Sequence, residues 1–189
     1  MAARFDPAAV TGAAPGSAGV FALAAIPARW VLERGAWKEA AAIEPRRSDF
    51  PYTDAMSYFA RALGASHTGD LPRARASIDS LAAIEQRLRA SGENYWTEQV
   101  SIQRLAAQSW LELAEHRSAE ALAHMREAAA REDATEKSAV TPGPLAPARE
   151  LLGDMLTELG RQGEASAEYR ATLVKEPNRR HSMMRASGG

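Results

Sequence analysis

The sequence predicts an all-α protein built from about four helix pairs. Three observations carry that prediction. Alanine fills 41 of the 189 positions, and alanine is the best helix former and lets helices approach closely. After residue 20 the chain falls into helix-length blocks punctuated by glycine and proline. No run alternates β-branched and polar residues long enough to read as a strand.

Taken in order, residues 1–19 are rich in Ala, Gly and Pro and read as a flexible lead-in. A helix is expected over 20–34, ended by Gly35. A shorter one follows over 36–43, cut off by Glu44-Pro45. Phe50-Pro51 closes that loop, and the next helix is expected over 53–68. In the turn Gly69-Asp70-Leu71-Pro72, Asp70 is placed to cap a helix over 71–90. Pro72 falls within its first turn, where a missing N–H matters little. Ser91-Gly92 ends that helix, and another is expected over 94–115. Ser118 is placed to cap the helix over 118–133. Residues 134–147 carry Pro142, Gly143, Pro144 and Pro147 and read as the longest loop. The last two helices are expected over 146–160 and 163–175, with Gly160 and Gly163 between them. Residues 179–189 read as a tail or a frayed capping helix.

The blocks repeat. Residues 148–178 contain Leu152-Gly153, Leu156, Gly160, Ala165, Tyr169, Leu173 and Pro177-Asn178. This spacing resembles the tetratricopeptide repeat (TPR), a helix-turn-helix unit of ~34 residues. That family places Leu-Gly in the first helix, Gly at the turn and Ala early in the second helix. An aromatic stands four residues later, and a Pro closes the unit. Thr172 departs from it, standing where a small Ala is usual. The frame fits residues 55–84 and 102–133 more loosely, with His116 replacing the turn glycine, and it fits 22–44 with a truncated second helix. The early second-helix alanines Ala40, Ala74, Ala121 and Ala165 lie 34, 47 and 44 residues apart. Ala62 and Gly153 join them where backbones would cross. The resemblance implies an α-α superhelix, a TPR-like solenoid, over residues 20–178. The blocks Ala25-Ile26-Pro27-Ala28-Arg29, Phe59-Ala60-Arg61-Ala62-Leu63-Gly64 and Thr141-Pro142-Gly143-Pro144-Leu145 are similar to the C-terminal part of longer, uncharacterised bacterial proteins of this family. That similarity implies a fragment, or a shortened relative that self-associates.

Composition narrows the function. The chain has no Cys, which excludes disulfide scaffolds, thiolate nucleophiles and Cys-ligated zinc. A formal net charge of -1 argues against nucleic acid as a partner. The apolar stretch Val20–Ile26 is too short for a secretory signal or a membrane span, so no membrane partner and a cytoplasmic location are expected. No catalytic arrangement stands out. The histidines, His67, His116, His124 and His181, form no pair at ligand spacing. Glu120 and His124 form an i,i+4 pair suited to a surface helix contact. The glycines of residues 12–19 have a superficial likeness to a phosphate loop, but lack the Lys and the preceding strand. Carboxylates alternate with Arg along helix faces, as solvated faces do. The expectation is therefore a non-enzymatic protein with no cofactor and no metal.

The resemblance supplies a place for a partner. In TPR arrays, first-helix positions line a concave groove that holds a peptide or a partner helix. The frame assigns Arg29 and Glu33 from the first unit, and Phe59, Leu63 and His67 from the second. It assigns Gln103 and Trp110 from the third, and Glu150, Asp154 and Glu158 from the last. Such a groove is apolar in the middle and acidic toward its C-terminal end. The slots where chaperone-binding members clamp a carboxylate with Lys, Arg and Asn hold mostly Ala, Leu and acids here, so an apolar or basic protein segment is the expected partner. The alternative is a structural homodimer formed through uncapped ends.

Overall fold

Four turns that each precede a buried alanine share one geometry, which Gly92, at φ 76° with the Glu93 N–H donating to the Leu88 carbonyl at 3.0 Å, also adopts without the alanine. Gly35, Gly69 and Gly160 hold left-handed φ angles of 59°, 78° and 74°, and His116 holds 62°. After each of them the next amide donates five residues back: Ala36 to Val31, Asp70 to Ala65, Arg117 to Glu112 and Arg161 to Leu156, at 2.8–2.9 Å. This closes a helix C-terminus by satisfying its orphan carbonyls. Five residues beyond each turn residue comes an alanine (Ala40, Ala74, Ala121, Ala165) exposed by 1% or less. The substitution of His for Gly at 116 keeps this geometry, with the strain of a left-handed non-glycine residue.

A computed structural model describes residues 17–135 and 143–186, which form nine helices and no strand. They divide into two units, one up to Val100 and one from Ser101 onward, where the sequence suggested one continuous array over 20–178. Most of the lead-in, the middle of the 134–147 loop and the last three residues lie outside the described residues.

The first unit holds α1 (Ser17–Glu33), α2 (Trp37–Ala41), α3 (Pro51–Thr68), α4 (Leu71–Ala90) and the start of α5 (Asn94–Ala114). The first of these begins at 17 rather than 20, directly after Pro15-Gly16, so residues 17–19 are helical and not lead-in. Helix α3 packs on α1, α2 and α4. Its Phe59 and Leu63 are core, with Val31, Met56, Leu81 and Leu88. The α2–α3 crossing is tight: a Cβ at Gly64 would lie 2.3 Å from the Ala41 amide nitrogen and 2.7 Å from the Ala40 Cβ. Asp70 caps α4, accepting from the Arg73 N–H at 3.2 Å. Ahead of α3, Ser48 donates to Asp54 from its N–H at 3.3 Å and its hydroxyl at 2.9 Å, tying the loop to the first turn of the helix, while no side chain caps that helix at Phe50.

The second unit holds the rest of α5, then α6 (Ser118–Ala134), α7 (Ala148–Glu158), α8 (Gln162–Lys175) and α9 (Arg180–Ala186). Helix α7 packs on α6 and α8, and α8 packs on α9. Leu122, Met125, Leu152, Met155, Leu156 and Tyr169 are core. Ser118 does not cap α6. The turn at His116 puts Arg117 in the flanking position, the place Asp70 holds in the first unit, and no side chain caps there. Gly153 lets the Tyr169 ring lie against α7, since a Cβ would come within 2.7 Å of that ring. The residues after 179 are helical, not frayed, as far as Ala186.

Candidate functional site

The residues assigned to the groove fall into both units, and each set has its own surroundings. In the first unit Phe59 and Leu63 are 2% and 0% exposed, so their side chains pack the core instead of lining an open face. Arg29 is half-buried and Glu33 exposed, four residues apart on α1. His67 stacks on Trp37, with ring centroids 3.8 Å apart and planes 11° apart. In the second unit Trp110 is 3% exposed and Gln103 half-buried. Glu150, Asp154 and Glu158 line up at i,i+4 spacing on α7. The structure does bring two of these acids into one site, and what meets them is the chain's own α9.

That site is built from three helices. Glu150 is 4% exposed. Its Oε1 accepts from Arg179 Nε at 3.1 Å and Nη2 at 2.8 Å, and its Oε2 accepts from the Ser182 hydroxyl at 2.5 Å. Arg179 Nε also donates to Oε2 at 3.2 Å, so the guanidinium spans both carboxylate oxygens, the strong form of such a pair. One turn along α7, Asp154 Oδ1 accepts from the Tyr169 hydroxyl and pairs with His181 Nε2, each at 2.7 Å. The hydrogen bond to Asp154 holds the His181 imidazolium above its ordinary range, against the opposing effect of burial. Burial and the Asp154 charge push the Tyr169 phenol up. Ser166 on α8 completes the seat, donating to the Ala186 carbonyl at 3.1 Å. Glu158 is exposed, and burial with the Asp154 charge raises its carboxyl.

The cluster is a set of matched donors and acceptors. A His and a Ser lie beside two carboxylates, yet Ser182 is 0% exposed and gives its proton to Glu150, while His181 faces Asp154. Arg179 and His181 each bring a donor, and Glu150 and Asp154 accept them.

Two further networks lie in this unit. Arg149 joins Asp133 at 2.6 Å to Glu168 at 2.5 Å, and Lys175 reaches Asp133 at 3.0 Å. Glu132 reaches from α6 to the start of α7, where its Oε1 accepts the Ala148 N–H at 2.9 Å. Burial there raises its carboxyl from 4.5 to about 7. The spacing of Glu120 and His124 suggested a pair, but His124 Nδ1 instead meets Glu112 Oε2 across the helices at 2.8 Å. Glu112 is 3% exposed, so the buried carboxylate wins the imidazole over the solvated one.

The first unit has a cleft of about 580 Å³ lined by Phe50, Pro51, Tyr52, Arg87 and Glu93 among others. Tyr52 stacks on Trp96 beside it, centroids 4.0 Å apart and planes 4° apart. None of these residues was assigned to the groove. Their only signal in the sequence is an aromatic-proline-aromatic run, which reads equally well as a loop bracket. Among the described residues, no group of three acids or histidines is arranged to hold a metal, and no helix is long and apolar enough to cross a membrane. No family model, curated protein or solved structure matches the chain.

Proposed function

We propose that this protein is a non-enzymatic helical-repeat interaction module of the tetratricopeptide type, and that it binds a basic or apolar segment of a partner protein. The observation that carries the reading is the α7 face, where Glu150 and Asp154 receive Arg179, Ser182 and His181 from a helical segment. A fold that seats one such helix has the chemistry to seat others. The fourfold turn, with its buried alanine five residues on, supports the repeat part of the proposal. The test is fluorescence anisotropy of the full chain against a panel of labelled basic, acidic and apolar helical peptides. Basic or apolar members should bind with Kd below about 100 μM, and acidic ones should not. Equal binding of all three classes, or of none, overturns the proposal.

A second reading, a structural homodimer, is favoured by exposed apolar side chains. Ile26 and Trp30 are 68% and 62% exposed, one turn apart on α1, with the Arg34 guanidinium 4.9 Å over the Trp30 ring. Sedimentation should then give a dimer that Trp30→Asp dissociates. A monomer at high concentration overturns it.

A further inference from the structure

Helix α9 holds its place in an unusual way. Of its seven residues only Ser182 is buried. Met183 and Met184 are 50% and 68% exposed. Seven residues are also too few to hold a helix in water alone, since isolated helices are marginal below ~12–15 residues. What keeps α9 against α7 is therefore a set of polar bonds: Arg179 and Ser182 on Glu150, His181 on Asp154, and the Ala186 carbonyl on Ser166. Glu176, Pro177 and Asn178 join it to α8 by a bend and a turn.

These bonds differ from apolar packing in one respect. With α9 in place Glu150 and Tyr169 are 4% and 1% exposed, so the bonds are made away from water. Release of α9 hands the Glu150 carboxylate back to water and forfeits these charge-assisted bonds. A donor of the same geometry from another molecule restores the bonds one for one. The seat therefore favours replacement of α9 over its simple release.

Resting on the interaction-module reading above, we infer that the α7–α8 seat of α9 is the partner-docking surface. The partner is a basic helical segment that presents Arg at the start of a helix with His and Ser two and three residues on. Such a segment bonds Glu150 and Asp154 as Arg179, His181 and Ser182 do, and α9 occupies the seat in cis until the segment displaces it. Charge complementarity selects the class: the seat offers two carboxylates and a phenol, and its present occupant brings a guanidinium, an imidazole and a hydroxyl.

The probe is a fluorescein-labelled peptide with the sequence of residues 178–186, titrated into the full chain. A short tether gives the cis helix an effective concentration near millimolar, so the unaltered chain should bind the peptide weakly. The full chain carrying Arg179→Ala and His181→Ala, its fold verified by circular dichroism, should bind it at least about tenfold more tightly. Adding Glu150→Gln to that chain should remove the gain. Because the altered chain could fold poorly, the unaltered chain provides a second readout. With 13C-methyl methionine, the Met183 and Met184 signals should move toward those of the free peptide as unlabelled peptide is added. No gain on weakening α9 together with still methyl signals overturns the inference, as does binding that survives Glu150→Gln. Binding of the basic panel peptides that is indifferent to Glu150→Gln overturns this seat alone and leaves the interaction-module proposal standing.

Discussion

Replacing Glu132 by Gln should stabilise the protein at high pH and leave it unchanged in mild acid. Glu132 is the last-turn residue of α6 whose carboxylate reaches the first amide of α7, accepting from Ala148 at 2.9 Å. Burial dominates its ionisation and raises it, the Ala148 N–H and Lys175 oppose that, and Asp133 and Glu176 reinforce it, leaving the carboxyl at about 7 against an ordinary 4.5. The folded chain thus keeps this proton over a range where the unfolded chain has lost it. Its contribution is complete below the unfolded value and disappears as pH rises through about 7. The gap between the two values corresponds to ~3 kcal/mol of folding free energy lost on going from acid to alkaline conditions. Gln retains an oxygen that accepts the Ala148 N–H and carries no charge to bury. Urea unfolding followed by circular dichroism should show Glu132→Gln more stable by ~1–3 kcal/mol at pH 8 and equal within ~0.5 kcal/mol at pH 4. An equal gain at both pH values would assign the effect to the amide itself, and a loss at pH 8 would show that the ionised carboxylate is the better cap. Either result refutes the argument.

Three other outcomes follow from the geometry. Gly64→Ala puts a methyl group 2.3 Å from the Ala41 nitrogen, where only backbone can yield, and should cost ~1–3 kcal/mol or more in urea unfolding. His116→Gly relieves a left-handed residue at φ 62° and should add ~0.5–1 kcal/mol, against the usual direction for a glycine introduced near a helix. His181 is held charged by Asp154, faced also by Glu150 from α7, by Tyr169 from α8 and by Arg185 from its own helix. Its pKa is raised on folding, so its contribution is complete in mild acid and fades as pH rises through the raised value. Amide exchange of α9, corrected for intrinsic rates, should therefore increase from pH 6 to pH 8, and His181→Gln should flatten that dependence.

Helix positions were legible because period and punctuation agree over long stretches. Leu71–Ala90 is bounded by Asp70 at one end and Ser91-Gly92 at the other, and the structure keeps both limits. Gly153 was legible as a place of close approach, though what closes on it is the Tyr169 ring. Side-chain exposure was not legible. Phe59 and Leu63 sit on the face a groove would use, yet three neighbouring helices bury that face. Glu150 and Asp154 were singled out as acids of one helix face, but the residues that meet them were hidden in Arg179-Arg180-His181-Ser182, a run whose composition also suits a solvated tail. Nor does spacing reveal Glu112 as the partner of His124, because that pairing is made between helices.

The fourfold turn bears on how the chain folds. Each closure joins residues only five apart, and each brings together two helices adjacent in sequence. Loops that short close at little entropic cost, and structures dominated by such local contacts cross low barriers. Every helix pair is then its own place to begin, and the left-handed residue acts as the hinge pin on which its two helices first meet. Damage at one pin should slow one pair and leave the other pairs free to start.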